Sequence, residues 1–402
     1  MKFFVTACCI TACALGLAAR GQDAAPATQN AAPAAPDVDV APPAQTAAPA
    51  APDVNVAPPA QTAAPAAPEA TQPATEIARP QDQTRPSFAE WLSAVRSEAL
   101  TRGIRPEIIE AALGNIEEPM PVIIERDRAQ AETVLPLERY ISRRLTAALI
   151  RTGREKYAEQ KSMLVEISKK YGVPASIIAG IWGVESNFGR FTGLRPTVPA
   201  LATLAWDPRR ATFFRSELFN ALEILNRGDI DLPNMRGSWA GAMGQPQFMP
   251  SSYLQYAQDY DGDGHRDIWD SPADVFASIA NYLKGHGWHE GETWGREVKV
   301  LPEAAKQIAA TVARREGSCK AMRDMTAPLP LAEWQHLGVR TLGGGALPKA
   351  DLAASLVSGQ TRHFLVYHNY DALLEYNCAH AYALTVAMLG ERVSAPPPKA
   401  AH

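Results

Sequence analysis

The chain is poor in cysteine, with five in 402 residues, three of which (Cys8, Cys9 and Cys13) fall in the first thirteen. Only Cys319 and Cys378 remain beyond them, in no CxxC spacing, which excludes a zinc-knuckle or dithiol redox motif. Two readings of this pair stay open. One is a disulfide closing a long loop in an oxidising compartment, the other two buried thiols too far apart to join. A charge excess of either sign is also lacking: 39 Lys plus Arg stand against 43 Asp plus Glu, a net charge of -4. That balance excludes a surface built to neutralise nucleic-acid phosphates, so no nucleic-acid partner is expected. Long alternating apolar and polar runs are rare, which leaves little room for an all-β fold. What is present is 46% hydrophobic residues, enough for a sizeable core.

The apolar run Phe3 to Leu17 follows Lys2 and ends in small residues, but it is too short to span a bilayer. It reads as a signal peptide over residues 1–21, cut near Ala19 to Gly21, with an uncleaved anchor or a misassigned start as the alternatives. Val5 to Cys8 and Ile10 to Cys13 look like lipoprotein boxes with very short apolar leaders, so lipid anchoring stays open. Residues 22–86 form an Ala/Pro-rich linker that holds 14 of the 33 prolines. A 16-residue repeat recurs there, with Asp37 and Asp39 answered by Asp53 and Asn55. Such a stretch buries too little apolar surface to offset its ordering entropy and favours extended conformations, which makes it a spacer.

Beyond Pro86 helical periodicity takes over. Phe88, Trp91, Leu92 and Val95 recur at three- and four-residue steps, and Pro106 opens a second helix carrying Ile108, Ile109, Ala112 and Leu113. A mainly α domain is predicted over 87–395, undivided, with short strands near Glu297 to Leu301 and His363 to Tyr367. Gly172-Val173-Pro174 stops one helix and starts another, on which Ile178, Trp182 and Glu185 share a stripe. Glu185 thus sits among apolar neighbours near a helix C-terminus, and both effects raise a carboxyl pKa toward the range of a general acid. The competing reading is a glutamate turned outward or paired with Arg190 or Arg209.

Asp259-Tyr-Asp261-Gly-Asp263-Gly264-His265 matches the opening of an EF-hand loop, with carboxylates at positions 1, 3 and 5, Gly264 at the turn and the His265 carbonyl at position 7. A solvated Asp-Gly turn is the plain alternative. Position 12 is Asp270 rather than Glu, and Asp274 follows one helical turn later. The segment Gly237 to Ser251 combines small residues with Trp239, Phe248, Met249, Ser238 and Gln247, a composition suited to a sugar groove or to tight packing.

Taken in order, Gly183-Val184-Glu185-Ser186-Asn187-Phe188-Gly189, Leu201 to Ala205 with Arg209-Arg210, Gly237 to Ser251, the Asp-rich loop, and Ser278 to Leu283 resemble the lytic murein transglycosylase B family, glycoside hydrolase family 103. The resemblance extends from Asp127 to Gln130 and to Tyr376-Asn377 with Tyr382. It implies a lysozyme-like catalytic domain that cleaves the β-1,4 bond from N-acetylmuramic acid to N-acetylglucosamine and forms a 1,6-anhydro end. Glu185 falls on the family's catalytic acid. Ser238, Gln247, Tyr376, Asn377 and Tyr382 fall in the glycan groove, to which Phe248 is added as an apolar wall by composition, with Arg209, Arg210 and Gln130 as further binding candidates. The loop pattern itself predicts a structural calcium ion on Asp259, Asp261, Asp263 and the His265 carbonyl, and the resemblance favours Asp274 over Asp270 as the closing carboxylate, with one residue inserted relative to the family's usual spacing.

The implied protein is a periplasmic, exported monomer acting on peptidoglycan strands, with cell-wall synthesis or division proteins as further partners and no organic cofactor. Most glycosidases need two carboxylates, and the motif around Glu185 supplies one. The N-acetyl oxygen and 6-hydroxyl of muramic acid can take the place of the second. A hydrolytic muramidase would instead draw on an acid such as Asp127 or Asp207, and a non-catalytic wall-binding scaffold would need none.

Overall fold

Ser87 and Glu90 open the fold with a reciprocal cap: the Glu90 N–H donates to the Ser87 hydroxyl at 3.3 Å and the Ser87 N–H to the Glu90 carboxylate at 2.8 Å. The computed structural model describes residues 86–130 and 135–396. The predicted signal peptide, the linker up to residue 85 and the last six residues lie outside the described residues. No described helix is long and apolar enough to cross a membrane.

The first half is helical: α1 (Phe88–Thr101), α2 (Pro106–Leu113), α3 (Pro121–Gln130), α4 (Leu137–Arg144), α5 (Ala147–Glu159), α6 (Lys161–Tyr171), α7 (Ala175–Ser186), α8 (Thr197–Trp206) and α9 (Ala211–Arg227). Then come α10 (Pro250–Tyr256), α11 (Pro272–Gly285), α12 (Pro302–Thr311), α13 (Lys320–Asp324), α14 (Leu331–His336), α15 (Asn369–Tyr376) and α16 (His380–Ser394). A two-stranded ribbon pairs β1 (Arg195–Pro196) with β2 (Arg236–Gly237). A five-stranded antiparallel sheet runs β4-β6-β7-β3-β5, from β3 (Gly295–Lys299), β4 (Leu329–Pro330), β5 (Arg340–Thr341), β6 (Ala353–Ser358) and β7 (His363–Val366).

The predicted strands therefore appear as β3 and β7. The neighbouring β6 shows no alternation, because four consecutive residues, Ala354 to Val357, are buried. Two apolar clusters form. The larger joins the helices, and the smaller gathers Val298, Trp334, Leu356 and Leu365 on one side of the sheet. The smaller cluster is a second packing centre within the same stretch of chain.

The centre of the large cluster is the contact of α7 with α16, and glycine sets it. A Cβ on Gly180 would strike the Val386 carbonyl, and a Cβ on Gly390 would strike the Ser176 carbonyl. Without side chains at these two positions the helix backbones touch directly. Gly172, left-handed at φ 74°, ends α6, and Pro174 caps α7 from just outside its first turn.

Candidate active site

Glu185 is the penultimate residue of α7, and the chain reverses at once behind it. Asn187 (φ 51°), Phe188 (φ 59°) and Gly189 (φ 83°) are all left-handed. For Phe188 this costs about 1–2 kcal/mol, offset by burial of its ring edge-on to Trp182 with centroids 5.3 Å apart. Ser186 staples the turn, donating to the Trp182 carbonyl at 2.9 Å and accepting from the Gly189 N–H at 3.0 Å.

The Glu185 side chain is half-buried. Its Oε1 accepts a hydrogen bond from the Tyr382 hydroxyl of α16 at 2.6 Å, while its buried Oε2 has no hydrogen-bond partner among the described residues. Loss of water pushes the carboxyl up from 4.5 to about 7, against the downward pull of the Tyr382 hydrogen bond and the Arg144 charge. The Tyr140, Tyr376 and Tyr382 phenols feel the same carboxylate and, with burial as the largest cause, are all held above the usual phenol range. A carboxyl raised to about 7 still carries its proton in a large share of molecules at neutral pH and, with one oxygen unclaimed, is equipped to donate it. Neither competing partner engages it: Arg190 lies over the Phe191 ring, and Arg209 pairs with Asp127 at 3.1 Å.

The glycine-rich segment forms a tight turn beside this helix. The Ser238 hydroxyl accepts from the N–H groups of Ala240 (3.3 Å) and Ala242 (3.1 Å). Met243 and Phe248 exchange backbone hydrogen bonds at 2.8 and 3.0 Å, with Gln247 left-handed at φ 52° between them. Gln245 fastens the segment on both sides: its Oε1 accepts from Trp182 Nε1 at 2.6 Å, and its Nε2 donates to the Trp269 carbonyl at 2.7 Å.

Trp269 stands at the exit of the Asp-rich loop, so that loop and the helix bearing Glu185 are wired together through one glutamine. Within the loop, ligand-capable oxygens of Asp259, Asp261 and Asp263 lie within 4.8 Å of one another, all exposed, and none of the three forms an ion pair among the described residues. Asp274 is fully buried and its carboxylate folds into the loop, accepting from the Tyr260 N–H at 2.7 Å and the Asp267 N–H at 2.8 Å. Asp270 is exposed, as is His265. Three clustered, unneutralised carboxylates are a donor set that fits a hard divalent cation.

Residues 87–391 match the Transglycosylase SLT domain family. The chain belongs to that family. It is 35% identical over 260 residues to membrane-bound lytic murein transglycosylase B of Escherichia coli K12, covering 64% of this chain and 67% of that protein. It superposes on Pseudomonas aeruginosa SltB3 in complex with NAG-anhNAM-pentapeptide with a TM-score of 0.68 and 39% identity, over 76% of this chain and 79% of the other. The Escherichia coli lytic transglycosylase Slt35 in complex with calcium gives a TM-score of 0.63 and 28% identity, over 79% and 98%. The protein is thus a peptidoglycan-cleaving lytic transglycosylase with the lysozyme-like, mainly α fold, and its setting is the cell envelope.

In this transglycosylase the residues expected to meet glycan divide into groups. Tyr382 touches Glu185 directly. The Tyr376 hydroxyl donates to the Pro246 carbonyl at 2.7 Å, and Asn377 follows it at the end of α15, buried. Gln247 Nε2 donates to the carbonyls of Gly244 (2.8 Å) and Thr192 (3.3 Å). Phe248 is only 2% exposed and backs the Tyr376 and Tyr282 rings, so it lies in the core rather than on an open wall. Arg209 and Arg210 both grip the buried carboxylate of Asp127. Gln130 ends α3, and its side chain lies outside the described residues.

Sequence reasoning missed Gln245, which stands two places from the glutamine it selected, and Tyr140 with Arg144. The last two are four apart on α4 and so share one helix face, a spacing that was there to be read. It also left the cysteines undecided. They form a disulfide, Cys319–Cys378, which ties the residue after Asn377 to the start of α13. A cavity of about 400 Å³ opens beside that bond, lined by Tyr256, Tyr282, His286 and Glu375 among others, and Glu185 is not part of its wall.

Proposed function

We propose that Glu185 cleaves the β-1,4 bond between N-acetylmuramic acid and N-acetylglucosamine in peptidoglycan, acting first as acid and then as base. The observation that carries this reading is the half-buried Glu185 carboxyl, which burial raises to about 7 and whose Oε2 has no hydrogen-bond partner among the described residues. Glu185 gives its proton to the glycosidic oxygen as the bond to the muramic anomeric carbon breaks. The muramic N-acetyl oxygen steadies the positive charge left on that carbon. Glu185, now ionised and held by the Tyr382 hydroxyl, then takes the proton of the 6-hydroxyl as that oxygen bonds to the anomeric carbon. The 1,6-anhydro ring closes without water, and intramolecular attack has the advantage of proximity.

A hydrolytic route is disfavoured by the commitments of its candidate acids. Asp127 is clamped by Arg209 and Arg210, and Asp207 pairs with Arg128 at 3.8 Å. Residues 87–395 act in this reading as the catalytic domain, with Ser238, Gln247, Tyr376, Asn377 and Tyr382 around the glycan. A calcium ion would be held by Asp259, Asp261, Asp263 and the His265 carbonyl, with Asp274 organising the loop from within. Such an ion would supply local rigidity to the loop, and Gln245 joins the exit of that loop to α7. The N-terminal leader exports the chain to the periplasm, and the linker lets the domain reach the wall.

The test is Glu185→Gln assayed on purified sacculi. The reading expects solubilisation to fall at least about a hundredfold, the typical contribution of a general acid-base group. A variant as fast as the parent refutes it.

A further inference from the structure

α4 contains Tyr140 and Arg144, and nothing in the sequence reading pointed to either. Arg144, half-buried, reaches across to α7 and donates from Nη2 to the Val184 carbonyl at 2.8 Å. Val184 directly precedes Glu185. That carbonyl is one of the last four of α7, which as a class lack partners within their own helix. A guanidinium satisfies it and also meets the negative end of the helix dipole. The Tyr140 phenol lies on the same face of α4 as Arg144 and is close enough to both Arg144 and Glu185 to feel their charges.

The other end of α4 is anchored too. Glu138 Oε1 accepts from the N–H groups of Thr361 (2.8 Å) and Arg362 (3.2 Å) in the turn between β6 and β7. Arg362 in turn forms a two-pronged pair with Glu297 of β3. This short helix therefore spans from the sheet to the residue beside the catalytic carboxyl, and its cation is fixed rather than free to swing.

We propose that Arg144 is a positioning residue for Glu185: it fixes the end of α7 and supplies the positive charge that stabilises the carboxylate remaining after the first proton transfer. The proposal rests on Glu185 being the acid and base of the reaction. Burial alone would leave Glu185 a good proton donor and a carboxylate too unstable to persist until the 6-hydroxyl arrives. A cation held next to it redresses that imbalance. The groups facing Glu185 are Tyr140 and Arg144 from α4, Tyr376 from α15 and Tyr382 from α16. Among them Arg144 carries the charge, because the three phenols stay protonated through neutral pH.

The experiment measures sacculus solubilisation from pH 4 to 9 for the parent, Arg144→Gln and Arg144→Lys, with melting temperatures taken alongside. Gln keeps a donor for the Val184 carbonyl but removes the charge, whereas Lys keeps the charge. The expected result is an alkaline limb displaced upward by about half to one pH unit in Arg144→Gln, with a lower maximal rate, and a limb near the parent's in Arg144→Lys. Equal limbs in all three proteins overturn the proposal, whatever the rates, since a purely structural arginine would lower activity without moving the profile. Equal displacement in Gln and Lys overturns it as well. Glu185→Gln run beside them separates the two ideas: if it is inactive while the arginine variants keep the parental limb, only the role of Arg144 fails.

Discussion

The Tyr382 hydroxyl donates to Glu185 Oε1 at 2.6 Å, joining α16 to the C-terminal end of α7, while Gly180 and Gly390 let the two helix backbones touch further along the same pair. The bond favours the ionised form of Glu185, so it opposes the upward push of burial. Tyr382→Phe removes it and leaves the ring in place. The expected outcome is a loss of about tenfold to a hundredfold in maximal rate, the usual worth of a hydrogen bond to a charged group, with the alkaline limb of the pH profile moved upward. Turnover of sacculi across pH is the measurement.

The same carboxyl has a cost to stability with a defined sign. Its pKa is about 7 when folded against 4.5 ordinarily, so between these values the folded state binds more protons than the unfolded one. Stability is greatest below about pH 4.5 and declines as pH rises toward 7. Glu185→Gln, which has no charge to bury, is expected to be more stable than the parent by about 1–3 kcal/mol at pH 8. The difference should vanish near pH 4. Denaturant titrations at both pH values check this.

Calcium, if held by the Asp259, Asp261 and Asp263 cluster, stabilises by mass action. At a hundredfold excess over its dissociation constant the gain is about 2.7 kcal/mol, or a melting point higher by about 5 °C or more for a domain of this size. Excess chelator should remove that increment, and Asp261→Asn should reduce it. Scanning calorimetry with and without chelator is the check, and a melting curve indifferent to both metal and chelator would take the ion out of the account.

Cys319 and Cys378 close a loop with a sequence separation of 59 residues. Chain-entropy reasoning gives about 4 kcal/mol for a loop of that length. The Cys319→Ser/Cys378→Ser double variant is expected to lose up to that much stability in denaturant titration. Because Cys378 follows Asn377 directly, it should also bind glycan more weakly at temperatures where it remains folded.

Much of this was legible in one dimension. The stripe Ile178, Trp182, Glu185 put a carboxylate among apolar neighbours at a helix end, and the structure places it there. The helix start at Pro106, the strands near Glu297 and His363, and the ordered motifs of the family were readable for the same reason: each is a local pattern. What escaped depends on contacts between distant segments. Arg144 is 41 positions from Glu185 and Tyr382 is 197 away, so nothing in their local spacing announces that they meet at one carboxyl. Phe248 looked like a groove wall by composition alone, and only packing against Tyr282 and Tyr376 shows that it supports the site from behind. Strand β6 has no period to detect because both of its faces are covered.

The central claim concerns where the proton goes after the bond breaks, and the products record the answer. Purified sacculi digested by the enzyme in ¹⁸O-labelled water should yield muropeptides ending in 1,6-anhydro-N-acetylmuramic acid, free of the label. Reducing muramic ends carrying solvent ¹⁸O would show that water, activated by some other group, completes the reaction, and would contradict a Glu185 that acts as acid and then as base.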